Sequence, residues 1–337
     1  MITLRLIDNV IDQTSFYNPT LLLQILFSLQ RASISNFSGI HVMTDYIGII
    51  GLGNAGSAVA SALAKKTRVI GFDVNPDCKN ATEANGIRWA NDYQEIAEHA
   101  DKIILSLPKP EISVAITKTL AELSKKPKLV IETSTVTPQT AKTCFEICEN
   151  GGIAYVDAAI AGGVASMASG SITFFLGGTN EHKDQARPIL NLIASNIYDL
   201  GLVGAGMGTK VVNNSIMHAL MVVLIEAFTM SNKLGVPSQT MIEILNRDEG
   251  ILRPLVHRVQ ERMQEGNYEG GMSVTNARKD SVLALETAQE LGVPLFATLA
   301  AHTPYEIAEA KEMGDLDYAS LALLWEEWSK VNFTLEN

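Results

Sequence analysis

Cysteine is scarce: only Cys78, Cys144 and Cys148 stand in 337 residues. That is too few for a disulfide framework and points to a reducing, cytoplasmic setting. Cys144 and Cys148 are four residues apart on an expected helix, not a C-x-x-C pair, and read as small apolar helix residues. The six histidines (His41, His99, His182, His218, His257, His302) are scattered. No pair has zinc-ligand spacing, so no metal is expected. Basic residues never run to five in a row, and the net charge is −11, from 26 basic and 37 acidic residues. Such a chain lacks the electrostatic footprint for nucleic acid or an anionic membrane. Long apolar runs are also missing. Leu21–Leu29 is broken by Gln24 and Ser28, and Ala219–Ile225 is a short run within a segment carrying Lys210, Glu226 and Lys233. A span needs roughly 20 apolar residues, so no membrane partner is expected.

What is present is an ordinary globular balance, 47% hydrophobic and 19% charged. At roughly 100–200 residues per domain the length implies two domains. Residues 1–45 stand apart as an N-terminal extension without clear periodicity. Either the functional chain begins at Met43, or 19–31 form an extra helix. From Tyr46 the pattern is regular. Apolar strands are expected at 46–50, 68–73, 102–107, 128–132, 153–156, 171–176 and 197–200. Helices are expected at about 54–65, 77–85, 111–124, 138–150 and 181–195. This alternation predicts a doubly wound parallel sheet with helices on both faces. After Gly208 the strands stop. Thr209–Leu234 reads as one long helix stopped by Gly235 and Pro237, with further helices over 238–330. The expected fold is therefore α/β plus all-α. A Rossmann-type domain spans 46–206, and one long helix joins it to an all-helical domain, 207–337.

The glycine loop Gly51-Leu52-Gly53-Asn54-Ala55-Gly56 is G-x-G-x-x-G placed between a strand and a helix, the context that the motif needs. Gly51 permits the tight turn, Gly53 lets backbone approach a pyrophosphate, and Gly56 lets helix and strand pack closely. The helix start offers N–H groups to the anion. Asp73 follows Gly51 by 22 residues, close to the roughly 20 expected of a ribose-binding carboxylate. A carboxylate there repels a 2′-phosphate, and Val74-Asn75-Pro76 adds no arginine, though Lys79 is near. The cofactor expected is NAD, with NADP left open.

Four segments in order resemble the β-hydroxyacid dehydrogenase family, which includes 3-hydroxyisobutyrate dehydrogenase and tartronate semialdehyde reductase. They are the glycine loop, Asp157-Ala158-Ala159-Ile160-Ala161-Gly162-Gly163, Gly204-Ala205-Gly206-Met207-Gly208-Thr209-Lys210-Val211-Val212-Asn213-Asn214, and Lys279-Asp280. The likeness runs from about Tyr46 to Glu327. It departs from the family pattern at Ala55 (usually methionine), Ala159 (usually proline) and Ala161 (usually serine). The resemblance implies an NAD(P)-dependent oxidoreductase moving a hydride between nicotinamide and a small 3-hydroxy acid or its aldehyde partner.

On that resemblance Lys210 is the general acid/base and Asn214, one helical turn on, holds the substrate oxygen. Partial burial would lower the lysine pKa and ready it for proton transfer. Ala161, Gly162 and Gly163 form a turn whose N–H groups meet the substrate carboxylate; the serine hydroxyl lost at Ala161 leaves Ser166 or Ser169 as replacements. Lys279, oriented by Asp280, is placed near the nicotinamide. Leu107, Pro108, Ser134 and Thr135 lie at carboxyl ends of strands, where open sheets bind ligands, and are expected to line the cofactor. Arg247 and Arg253 are weaker candidates for an anionic substrate. The expected active site is a cleft between the domains. The long helix is apolar over most of its circumference and is expected to be covered by its own domain or by a partner, and the resemblance implies a homodimer or homotetramer. Three readings compete: a decarboxylating dehydrogenase, which needs a phosphate-binding cluster that is not seen; an imine reductase, against which Lys210 argues; and a catalytically weak NAD(P)-binding sensor or assembly protein.

Overall fold

The computed structural model describes residues 46–335; the N-terminal segment 1–45, with both readings offered for it, lies outside the described residues. By contacts between Cα atoms the chain divides between Met207 and Gly208 into two compact units.

The first unit is built on an eight-stranded sheet of order β3-β2-β1-β4-β5-β6-β7-β8. Its strands are β1 (Ile47–Ile50), β2 (Val69–Phe72), β3 (Arg88–Trp89), β4 (Lys102–Leu105), β5 (Leu129–Glu132), β6 (Ala154–Ala161), β7 (Ile172–Gly177) and β8 (Ala194–Asp199). Successive side chains of a strand point to opposite faces. Ile49, Ile104, Leu129 and Ile131 accordingly join one core, while Ile50, Ile103, Leu105 and Val130 join another on the opposite face. Burial on both faces is why these strands read as continuous apolar runs.

Six of the seven strand pairings that order the sheet are parallel, but β6 and β7 run antiparallel. The sheet is thus mixed, which corrects the expectation of a parallel one. The connection between Ala161 and Ile172 holds only the short helix Val164–Ser169. Returning a chain to run parallel takes a crossover of about a dozen residues or more, and this link falls short. The other helices of this unit are α1 (Asn54–Ala64), α2 (Cys78–Ala84), α3 (Tyr93–His99), α4 (Pro110–Glu122), α5 (Pro138–Gly151) and α7 (Asn180–Leu190), with Val164–Ser169 as α6. Helix α3, absent from the sequence reading, announces itself by Asp92, whose side chain accepts from the Glu95 N–H. Cys144 and Cys148 are buried on α5 as free thiols.

Helix α8 (Ala205–Lys233) is continuous across the division between the units. Over its most apolar window its mean hydropathy is 1.6, so by length and composition it is long and apolar enough to cross a membrane. That corrects the argument from a short apolar run, which counted only Ala219–Ile225. Within the single chain the helix is also largely uncovered: Val212, Ile216, Met221 and Ile225 are 54–59% exposed.

The second unit contains α9 (Ser238–Leu245), a π-helical segment Leu255–Met263, α10 (Val274–Leu291), α11 (Phe296–Ala310) and α12 (Ala322–Ser329). Its buried clusters are small, one around Val274, Ala308 and Leu324 and another around Ala288, Val293 and Leu295. A polar device supplements them. The Glu226 carboxylate of α8, 5% exposed, caps α11. It accepts from the N–H groups of Phe296 (2.6 Å), Ala297 (2.8 Å) and Thr298 (3.1 Å) and from the Thr298 hydroxyl (2.8 Å). Burial alone would raise the Glu226 pKa, but these donors outweigh it and the net shift is downward. A depressed carboxylate adds stability above its unfolded pKa, and that stability is lost as pH falls through the folded value. Glu226→Gln is therefore expected to cost about 0.5–2 kcal/mol at neutral pH, the usual worth of a cap. In urea unfolding the gap to wild type should close below about pH 4, where unfolded glutamates protonate.

Candidate active site

The sheet order reverses at β1, whose neighbours are β2 and β4. Beyond the carboxyl ends of these strands lies a cavity of about 350 Å3, and open sheets bind ligands at such a switch point. Gly51, Gly53, Asn54, Ala55 and Gly56 form its floor, Phe72 and Asp73 one side, and Ser106, Leu107 and Pro108 the other. Gly51 has φ +94°, and a Cβ on it would sit 2.1 Å from the Ser106 carbonyl oxygen. A Cβ on Gly56 would sit 1.9 Å from the Gly51 oxygen. Both are glycine because backbone passes where a side chain would be. Gly53 differs: a Cβ there meets nothing within 4 Å, so its backbone faces open space. Gly53 also begins α1 without a side-chain cap, leaving the first-turn N–H groups for an anion. Leu52 is buried and contributes its backbone, the N–H donating to Asp73 Oδ2 at 2.6 Å. The Asn75 N–H holds Asp73 Oδ1 at 2.8 Å. With one bond to each oxygen, the fixed carboxylate keeps lone pairs for a ribose diol. These residues fit a dinucleotide: space over Gly53, an uncapped helix start and an anchored carboxylate.

Ser134 and Thr135 follow β5 and are not among the residues that form the cavity wall. Thr135 is exposed, whereas Ser134 is 5% exposed and stands behind Leu107, whose N–H donates to Ser134 Oγ at 2.7 Å. The turn Ala161-Gly162-Gly163 ends β6, with Gly162 at φ +136° and both glycines exposed. Of the two serines weighed against the missing hydroxyl, Ser169 spends its Oγ on the Ser166 carbonyl at 2.9 Å. Ser166 is exposed, and its Cβ would lie 3.7 Å from a Cβ built on Gly162.

Lys210 and Asn214 lie on α8, four residues apart on one face, and both are half-buried. Burial lowers the Lys210 pKa below the ordinary lysine range. Lys279 and Asp280 form a 3.2 Å ion pair on α10 with both side chains more than half exposed. So open a pair fixes little on its own. Arg247 and Arg253 are exposed, and the Arg247 guanidinium donates to the Ile244 carbonyl. Among the described residues no cluster of three or more His, Cys, Asp or Glu is arranged to hold a metal.

Asp157 belongs to a quoted motif, yet sequence reasoning gave it no role. Its carboxylate, wholly buried, accepts from the N–H groups of Gly204 and Met207, each at 2.9 Å, and so anchors the start of α8. The signal lay in an acidic residue inside the otherwise apolar run of β6, but its partners lie 47 and 50 residues away.

A switch-point cavity floored by G-x-G-x-x-G and flanked by a fixed acid defines a Rossmann-type, NAD(P)-binding oxidoreductase. Residues 46–204 match the NAD binding domain of 6-phosphogluconate dehydrogenase, and residues 204–325 the NAD-binding domain of NADP-dependent 3-hydroxyisobutyrate dehydrogenase. Mitochondrial 3-hydroxyisobutyrate dehydrogenase of Mus musculus is 32% identical over 286 residues, covering 82% of this chain and 85% of the relative. The solved 3-hydroxyisobutyrate dehydrogenase of Mycobacterium tuberculosis, with L-serine, is 26% identical with a TM-score of 0.58, covering 83% of this chain and 99% of that one. An imine reductase from Pseudomonas sp. has a TM-score of 0.75 at 20% identity, covering 83% and 99%, a likeness of fold alone. The chain belongs to the β-hydroxyacid dehydrogenase family.

Proposed function

We infer that this chain interconverts a small 3-hydroxy acid and its semialdehyde, with Lys210 as general acid/base. The observation carrying this reading is the pairing of Lys210, its pKa lowered by burial, with Asn214 on one face of α8. The nicotinamide, when bound, accepts or supplies the hydride. The neutral Lys210 amine takes the hydroxyl proton during oxidation, and the ammonium returns it to the oxygen during reduction. The Asn214 amide holds that oxygen, and the N–H groups of the Ala161–Gly163 turn take the carboxylate. The family resemblance assigns Lys279 to the nicotinamide. NAD is favoured over NADP because Asp73 would face a 2′-phosphate.

The substrate-bearing unit works as a homodimer or homotetramer. The support is the exposed apolar surface of α8 beside the small buried clusters of its own unit; mass by light scattering tests it. Free thiols at Cys78, Cys144 and Cys148 favour a reducing compartment, the cytoplasm.

The deciding experiment follows cofactor absorbance across a panel of 3-hydroxy acids and semialdehydes with NAD and with NADP. Turnover on any member supports the dehydrogenase reading and narrows the substrate. Tight NAD(P)H binding with no turnover on the panel would replace it with the sensor reading.

A further inference from the structure

Glu132 closes β5 between Leu105 of β4 and Asp157 of β6, and its side chain is wholly buried. A buried carboxyl is costly unless it is neutral or bonded. Burial pushes its pKa up, Ser134 and then Ser113 pull it back, and nearby Asp157 adds to the rise. One carboxyl oxygen, Oε2, makes no hydrogen bond; the other, Oε1, accepts from the Ser134 N–H at 2.9 Å. Ser113, buried on α4, faces the same carboxyl, but its Oγ makes no hydrogen bond, so the one bond of defined geometry that this group accepts comes from Ser134.

Ser134 passes it on. Its Oγ accepts from the Leu107 N–H at 2.7 Å, and Leu107 forms the cavity wall with Ser106 and Pro108. The preceding residue strengthens the same seam. Thr133 donates to the Leu105 carbonyl twice, from its N–H at 2.9 Å and from its Oγ1 at 2.6 Å. Pro108 has no N–H of its own to fix its place, so the Ser134–Leu107 bond is the clasp that holds this corner.

We propose that Glu132 is a positioning residue for the cofactor: through Ser134 it sets the Leu107–Pro108 wall against which the dinucleotide lies. The inference rests on the reading that the cofactor occupies this cavity. Because the link needs an acceptor and not a charge, a neutral amide at 132 serves it.

The test is the Kd of NAD(P)H, by fluorescence titration, together with the Tm, for Glu132→Gln, Glu132→Leu, Ser134→Ala, the Leu/Ala double variant and Asp73→Ala. Glu132→Gln is expected to stay within about twofold of wild type, while Glu132→Leu and Ser134→Ala each weaken binding about tenfold, the scale of one hydrogen bond. The double variant should be no weaker than either single one, since both cut one chain of contacts. A Tm loss with unchanged Kd in Ser134→Ala, multiplying effects in the double variant, or a Gln variant as weak as the Leu variant would each overturn the proposal. Should Glu132→Leu fail to fold, Ser134→Ala and Glu132→Gln still decide. Asp73→Ala separates the two failures. If it weakens binding while Ser134→Ala does not, the cavity reading stands and the Glu132 role falls; if neither moves Kd, both fall.

Discussion

Lys210→Met is expected to lower kcat by about 10²–10⁴-fold, the usual contribution of a positioned general acid/base, and to leave the Kd of NAD(P)H within about twofold because the substitution spares the glycine loop and Asp73. Methionine keeps the length and apolar stem of lysine and removes only the proton-carrying group. Lys210→Arg should be nearly as slow, since a guanidinium stays protonated and cannot take a proton from an alcohol. The pH dependence sharpens the test. Burial lowers the Lys210 pKa. Oxidation needs the neutral amine, so its rate climbs with pH and levels off above the folded pKa. Reduction needs the ammonium, so its rate falls through the same pKa. Mirror-image profiles that share one midpoint below the ordinary lysine range, and that vanish in the Met variant, are the expected signature. A Met variant with wild-type kcat on the best panel substrate would remove Lys210 from the chemistry.

The glycine loop between strand and helix, and the placing of Lys210 and Asn214 on one helix face, were legible because their signals are local. G-x-G-x-x-G and Asp73 sit within one strand-helix-strand stretch, and Lys210 with Asn214 spans a single helical turn. The long helix was legible as a helix from the same kind of pattern, and Gly235 and Pro237 marked its end correctly. Register and handedness were less accessible. Nothing near Ala161 says that β7 turns back antiparallel; that follows from how short the link to Ile172 is once both strands must join one sheet. Ser134 shows the same limit. Its place at the end of a strand was read rightly, but which neighbour takes its hydroxyl depends on the β4/β5 pairing that sets Leu105 opposite Glu132. The exposure of α8 was hidden for another reason: an apolar circumference states that a helix wants cover and not where the cover comes from.

Asp157 carries the second large expectation. Asp157→Asn should destabilise the α/β unit by about 2–4 kcal/mol, because an amide can accept from one N–H but turns its NH2 toward the other, leaving a buried donor facing a donor. At roughly 2–4 °C per kcal/mol for a unit of this size, thermal unfolding should fall by about 5–15 °C. The site gives no room for escape. A Cβ on Gly206 would lie 2.9 Å from Asp157 Oδ2 and 2.3 Å from the Phe175 carbonyl, so the start of α8 is pressed against the carboxylate and cannot shift to relieve a mismatch. Burial raises the Asp157 pKa in spite of the N–H groups of Gly204 and Met207. A raised acid contributes linkage stability below its unfolded pKa, and that contribution is lost as pH rises through the folded value. Wild type should therefore gain from this group on moderate acidification, and the Asn variant should lack that gain. The stability gap between the two should widen as pH drops from neutrality toward about 4, the unfolded aspartate range, the reverse of the trend expected for Glu226→Gln. Calorimetry of both variants against wild type at several pH values reads the two trends side by side. An Asp157→Asn protein that melts with wild type at every pH would show that the start of α8 is held by its packing alone.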